Sequence, residues 1–379
     1  MAAVMKSDES VPALEYVRAI APYQAGKPIE ELAREFGLRA DEIVKLASNE
    51  NPLGMPPSAR NAITRALQHL AEAGRYPDSN GFELKAALSS KFHVAPEWIT
   101  LGNGSNDILE LAAAALLAPG TSCVFSQHSF AVYALATQAR GARAIVVPAK
   151  NFGHDLDAML AAIARDTRLM YVANPNNPTG TFLSHAQVEA FLARVPKGVV
   201  VVLDEAYDEY LPPEHRFDST EWVRRYPNLL VSRTFSKAYG LAGLRVGYGM
   251  AQAELTDLLN RVRAPFNVNT LAQAAAVAAL ADAEFLRTSF ELNLRGMQQL
   301  VAGFDALGLE HVPSYGNFVL VKVGPAAKVY RALLKRGVIV RPVDNYGLPE
   351  WLRISVGLPE ENAKFLAALP EALAAARAA

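Results

Sequence analysis

The stretch WITLGNGSNDILELAAAALLAPGTSCVFS, residues 98–126, lays down three elements in succession. WITLG reads as a short strand, NDILELAAAALLA as a helix and SCVFS as a second strand. Apolar runs with no polar alternation suit strands covered on both faces, and a helix between two of them suits a parallel pair. The same pattern continues downstream. FAVYALATQARG is a helix ended by a glycine, and SHAQVEAFLARV is another. RAIVVPA, RLMYVAN, VVVVLDEA, NLLVSRTF and RVGYGMA are further strand-like runs rich in Val, Ile and Leu. The fold expected is α/β, a large domain with a mostly parallel central sheet flanked by helices.

Outside this region the texture changes. Residues 1–24 read as an N-terminal arm. PIEELAREFG, 28–37, is an amphipathic helix closed by Gly37, in a segment 25–48 assigned to a smaller domain. The large domain is expected over 49–265. From 266 to 379, Ala/Leu-rich helical stretches and the runs NFVLVKV, VIVRPV and LRISVG read as the rest of a smaller α+β domain.

Composition narrows the classes of function. The chain has 379 residues, 51% of them hydrophobic, enough for two domains. A formal charge of -1 with no basic run gives no footprint for nucleic acid or a membrane surface. The longest apolar stretch, LAAAALLA at 111–118, is too short to span a bilayer. No charged-then-apolar leader opens the chain, so the expected compartment is the cytoplasm. Cys123 is the one cysteine, which excludes an internal disulfide, and its apolar surroundings mark it as a buried small hydrophobe. The seven histidines show no metal-ligand spacing, and His128 stands open as a structural or a site residue.

Ligands of parallel α/β sheets bind beyond the carboxyl ends of the strands, and the unusual polar residues follow the strand-like runs. GNGSND, 102–107, opens a helix and offers backbone N–H groups to a phosphate, unless Ser105 or Asn106 merely caps the helix. NPNNPTG, 174–180, aims the amides of Asn174, Asn176 and Asn177, or is an ordinary turn. In DEAYDEY, 204–210, Asp204 ends a buried run and needs a cationic partner, with Tyr207 near it. TFSKAYG, 234–240, sets Lys237 among hydroxyls and small residues, with Arg245 following. These groups meet the needs of pyridoxal phosphate. Its aldehyde takes a lysine amine, its ring nitrogen a carboxylate, and its phosphate N–H groups, hydroxyls and an arginine.

The motifs LASNENPLG, YPD, GNGSND, NPNNPTG, DEAYDEY, SRTFSKAYGLAGLRVGY and LRISVG run through nearly the whole chain. On them the sequence resembles the fold-type I pyridoxal-phosphate-dependent aminotransferases of the aspartate aminotransferase superfamily, and most closely the histidinol-phosphate aminotransferases. The resemblance implies that Lys237 binds the cofactor covalently and then moves the proton between substrate and cofactor. It implies that Asp204 pairs with the ring nitrogen, that Asn177 and Tyr207 bond the ring oxygen, and that Phe130 stacks on the ring. Gly104, Ser105, Asn106, Thr234, Ser236 and Arg245 match the phosphate site. Tyr76, in YPD, matches a tyrosine that reaches the partner subunit's cofactor, which implies a homodimer with shared sites. Arg353, Arg341, Tyr23 and Asn49 match the substrate site, with a surface salt bridge the other reading of Arg341. Two arginines suit both the second carboxylate of glutamate and the phosphate of histidinol phosphate.

The implied reaction exchanges the amino group between L-histidinol phosphate and 2-oxoglutarate, giving imidazole-acetol phosphate and L-glutamate, a step of histidine biosynthesis. An aromatic amino-acid aminotransferase would share almost every cofactor residue, and a threonine-phosphate decarboxylase would also recognise a phosphate. Both stay open. Against a cofactor-binding transcription regulator stands an arm too short for a helix-turn-helix domain.

Overall fold

The computed structural model describes residues 11–22, 26–68 and 74–378. The strands of the first domain are β2 (Ile99–Gly102), β3 (Ser122–Ser126), β4 (Arg143–Val147), β5 (Thr167–Ala173), β6 (Val200–Asp204), β7 (Leu229–Thr234) and β8 (Gly247–Met250). They form one seven-stranded sheet in the order β2-β8-β7-β6-β5-β3-β4. Neighbours from β7 to β4 run parallel, and β8 is antiparallel to both β7 and β2. β5, β6 and β7 are almost wholly buried, which explains their uninterrupted Val and Leu runs. The edge strand β4 departs from that pattern, with its apolar Val146 half exposed.

Strand direction positions the site. The carboxyl ends of β2, β3, β5, β6 and β7 lie at one edge of the sheet. Because β8 runs the other way, its start lies at that same edge: Gly247 pairs with both Gly102 and Thr234. Arg245, just before β8, is thus delivered to the turns that follow the parallel strands.

The second sheet takes β1 (Val44–Leu46), from the segment before the large domain, and β9 (His311–Val312), β10 (Phe318–Lys322), β11 (Val338–Pro342) and β12 (Trp351–Ser355). Their order is β1-β11-β12-β10-β9. Helices Ala283–Ala306, Ala326–Leu334 and Pro359–Ala378 enclose its core with Leu300, Phe304, Val329, Phe365 and Leu369. Helix Ile29–Phe36 ends where Gly37 turns left-handed at φ 66°. The helix Thr270–Leu280 lies on the other side of the expected 265/266 boundary. Its Ala272, Ala275, Ala276 and Ala279 join the core beneath the seven-stranded sheet, because small side chains let it pack closely on Pro57–Gln68. Among the described residues no helix is long and apolar enough to cross a membrane.

Candidate active site

One cavity opens at the sheet edge where the turns converge, and the second domain closes it. Ser105, Asn106, Phe130, Asn177, Asp204, Tyr207, Thr234, Ser236, Lys237, Arg245, Arg341, Arg353 and Asn49 all line it. Residues scattered over most of the chain therefore share one chamber.

Lys237 and Asp204 are its two most strongly perturbed cavity-lining charges. The Lys237 ammonium would have little water, and Arg353 repels it, so its pKa falls from the usual lysine value to about 8. Its Nζ donates to the Ser48 carbonyl at 3.0 Å. Asp204 ends β6 and is only 5% exposed. Burial pushes its carboxyl up to about 6, against the Tyr133 hydrogen bond, the nearby Ala206 N–H and the Lys237 charge, which favour the carboxylate. Oδ2 accepts from the Tyr133 hydroxyl at 2.8 Å. Oδ1 is buried and makes no hydrogen bond among the described residues. A protonated ring nitrogen fits that open oxygen.

The end of the cavity at Ser105 combines backbone N–H groups with side-chain donors. Helix Ser105–Leu116 begins after Gly104, and no side chain caps it, so the capping role open to Ser105 or Asn106 is not realised. Its first N–H groups and the positive end of its dipole are left for an anion. Gly104 has φ 79°, and a Cβ there would meet the Arg245 guanidinium at 2.5 Å. Gly247 has the same importance from below, since its Cβ would press on the Ser105 nitrogen at 2.5 Å. Arg245, itself left-handed at φ 58°, extends Nη1 to within 3.4 Å of Ser236 Oγ. The Thr234 hydroxyl accepts from the Ser236 N–H at 3.1 Å. N–H groups, hydroxyls and a guanidinium in one place suit the phosphate of pyridoxal phosphate, so both ends of the cavity fit that cofactor.

The substrate end comes from the second domain. Arg341 on β11 and Arg353 on β12 are direct register partners, and both face the cavity. Arg353 donates from Nη1 to Asn177 Oδ1 at 2.6 Å and from Nη2 to the Ala47 carbonyl at 2.7 Å. Asn49, held left-handed at φ 54°, donates from Nδ2 to the Tyr207 hydroxyl at 3.0 Å. Ser355 fixes that asparagine from both sides, donating to its Oδ1 at 2.8 Å and accepting from its N–H at 2.9 Å.

Some expectations change. Of the three amides in NPNNPTG, only Asn177 faces the cavity. Asn174 braces Leu183 through two backbone hydrogen bonds, and Asn176 donates to the His128 carbonyl and Thr179. The ring of His128 is structural, with Nδ1 2.7 Å from the Tyr346 carbonyl. Cys123 is fully buried, which pushes its thiol up to about 12. Tyr76 is 80% exposed and stacks on Phe266 at 4.5 Å, away from this chain's own cavity. Tyr23 lies outside the described residues. Tyr133 and Tyr346 were missed. Phe130 lies just before the helix Val132–Ala139 that carries Tyr133, and the two rings meet edge-on, a contact that sequence spacing alone does not give.

A cationic turn, a buried carboxylate and a neutral-leaning lysine at the carboxyl edge of this sheet define a fold-type I aminotransferase. The chain belongs to the family Aminotransferase class I and II, whose sequence model matches residues 41–369. It is 71% identical over 369 residues to Histidinol-phosphate aminotransferase 2 of Ralstonia nicotianae, covering 96% of this chain and 98% of that one. Histidinol-phosphate aminotransferase 1 of Cupriavidus pinatubonensis is 69% identical, with 95% and 96% covered. Among solved structures, histidinol-phosphate aminotransferase from Sinorhizobium meliloti, in complex with pyridoxal-5'-phosphate, superimposes with a TM-score of 0.87 at 28% identity, covering 97% of this chain and 99% of that one. A single mutant of Thermus thermophilus aspartate aminotransferase gives 0.83 at 26% identity, with 96% and 100% covered.

Proposed function

We propose that this chain is a pyridoxal-phosphate-dependent aminotransferase exchanging the amino group between L-histidinol phosphate and 2-oxoglutarate. The observation that carries the reading is the pair Arg341 and Arg353, side by side on neighbouring strands in the cavity that holds Lys237. One guanidinium pair can grip the phosphate of the first donor and the second carboxylate of glutamate in turn. The high identity to enzymes of that name supports the choice of donor.

Pyridoxal phosphate, when bound, supplies the aldehyde that receives the amino group and a ring that takes up the electron pair left on the substrate carbon. The protein's part is placement. Ser105, Asn106, Thr234, Ser236 and Arg245 would hold the phosphate, Phe130 would lie against the ring, and Asn177 and Tyr207 would meet its oxygen. Asp204 keeps the proton on the ring nitrogen. Lys237 would hold the aldehyde carbon through its amine and would carry the proton between substrate and cofactor. Ser48 offers its carbonyl to that amine. Arg353, Arg341, Asn49 and Tyr23 receive the substrate. The enzyme works as a cytoplasmic homodimer in which Tyr76 reaches the partner subunit's cofactor; its exposure on the surface supports that role.

The test is a half-reaction. Protein loaded with pyridoxal phosphate is mixed separately with histidinol phosphate, phenylalanine and threonine phosphate, and the loss of the yellow absorbance is followed. Histidinol phosphate is expected to bleach it fastest. Faster bleaching by phenylalanine would make this an aromatic aminotransferase, and release of carbon dioxide from threonine phosphate would make it a decarboxylase.

Two further results are expected. Arg353→Ala should raise KM about 10–100-fold for both glutamate and histidinol phosphate, since one group serves both anions and also steadies Asn177. Steady-state kinetics with each donor checks this. Lys237 reacts as the neutral amine, and its pKa is lowered to about 8. Covalent capture of pyridoxal phosphate by the apoprotein should therefore rise as pH increases towards 8 and level off above it, well below the range of an ordinary lysine. Stopped-flow absorbance across that range checks this.

A further inference from the structure

We propose that Tyr133 is a positioning residue for this reaction: its hydroxyl holds one oxygen of Asp204 in place and leaves the other unpaired for the cofactor. The proposal rests on the cofactor reading above.

Asp204 has two oxygens in different situations. Oδ2 takes the Tyr133 hydrogen bond at 2.8 Å, and Oδ1 is buried without a hydrogen-bond partner among the described residues, in a residue that lines the chamber. A carboxylate anchored through one oxygen cannot rotate freely, so the open oxygen keeps its direction. The donor is itself immobile. Tyr133 is completely buried, and its ring lies flat on Tyr171 at 4.5 Å and 4°. The Tyr171 hydroxyl is tied to the Leu109 carbonyl at 2.8 Å, in the helix that begins at the phosphate end of the cavity. Phe130 meets Tyr133 edge-on at 6.0 Å and 90°. The tyrosine thus links the floor of the ring site, the carboxylate and the phosphate helix.

The electrostatics point the same way. Burial alone disfavours the Asp204 carboxylate, and the Tyr133 hydrogen bond is the largest influence opposing it. The other groups facing Asp204 are fewer. Lys237, after β7, favours the charge, as does the Ala206 N–H after β6, and Tyr207 is a neutral phenol at neutral pH. On β5, Tyr171 acts through the stack, and the Ala173 backbone beside Asp204 is bonded to His154, which burial keeps neutral with a pKa of about 4. On β7, Ser232 pairs in register with Asp204 and carries no charge.

The experiment compares three holoproteins: wild type, Tyr133→Phe and Tyr133→3-fluorotyrosine. The first substitution removes only the hydroxyl. The second keeps it and makes it a stronger donor with almost no change of shape, so it serves even if the first folds poorly. The dissociation constant for pyridoxal phosphate is measured by fluorescence from pH 5 to 9. Protonation of Asp204 abolishes its attraction for the ring nitrogen, so affinity falls on acidification. The ionisations of Lys237 and of the ligand are common to all three proteins. In Tyr133→Phe the carboxylate loses a donor and its pKa rises, so the midpoint of the fall moves to higher pH by about one unit or more. In Tyr133→3-fluorotyrosine it moves to lower pH, and the acidic limb of kcat/KM moves with it. Coincident midpoints in all three would overturn the proposal, whatever happens to melting temperature. The binding titration contains no amino donor, so its failure is distinct from a wrong choice of substrate.

Discussion

Lys237→Ala is expected to lose turnover by about 10⁴-fold or more while the protein still takes up pyridoxal phosphate. Two roles vanish together, the covalent anchor and the proton carrier. The remaining binding comes from the uncapped helix at Ser105, from Arg245 and from Asp204, none of which touches the lysine amine directly. Lys237→Arg should be as inactive, although it keeps the positive charge. A guanidinium stays protonated at every working pH, whereas the site lowers the lysine to about 8 so that a neutral amine exists. Single-turnover absorbance with histidinol phosphate separates chemistry from binding. Turnover near wild type in either variant would remove the lysine from the mechanism.

Asp204→Asn is expected to move activity and stability in opposite directions. Activity should fall about 10²–10³-fold, since an amide cannot hold the proton of the ring nitrogen as a carboxylate does. Stability of the apoprotein should rise at neutral pH. The folded pKa of about 6 lies above the usual value of 3.8, so ionisation is harder in the native state than in the unfolded chain. Native stability is full below about 3.8, falls as pH rises to about 6, and then stays reduced by about 3 kcal/mol. Asparagine carries no charge and escapes that loss. The melting temperature of the variant should exceed that of wild type at pH 7.5, with the gain vanishing near pH 4. A gain that persists at low pH would mean that packing, and not the buried charge, is responsible. The wild type thus gives up stability to keep a carboxylate where a cofactor can use it.

Much of this architecture was legible in order along the chain. The Val-rich runs ending in Asp204 and Thr234 announced covered parallel strands, and the odd polar residues after them announced the site. GNGSND reads as an anion site because a glycine turn opening a helix leaves N–H groups free, a feature the uncapped start of the helix at Ser105 keeps. Its alternative, a capping side chain, was refuted by geometry. The asparagines of NPNNPTG were not separable by residue type, since three identical amides differ only in the direction the backbone gives them. The helix Thr270–Leu280 follows the expected 265/266 boundary yet packs in the core of the seven-stranded sheet, and its alanine-rich face reads alike against either sheet.

The order of strands and helices and the polar residues at each strand's end follow from local pattern, because period, apolar content and turn residues act over a few positions; Lys237 stands out only beside the other motifs. Which amide faces the cavity, which tyrosine holds Asp204, and the opposition of Arg341 to Arg353 depend on contacts between residues far apart in the chain. So do the depressed pKa of Lys237 and the raised one of Asp204. Those shifts come from desolvation and from fields of neighbours, and a buried environment exists only after the two domains have closed around the edge of the sheet.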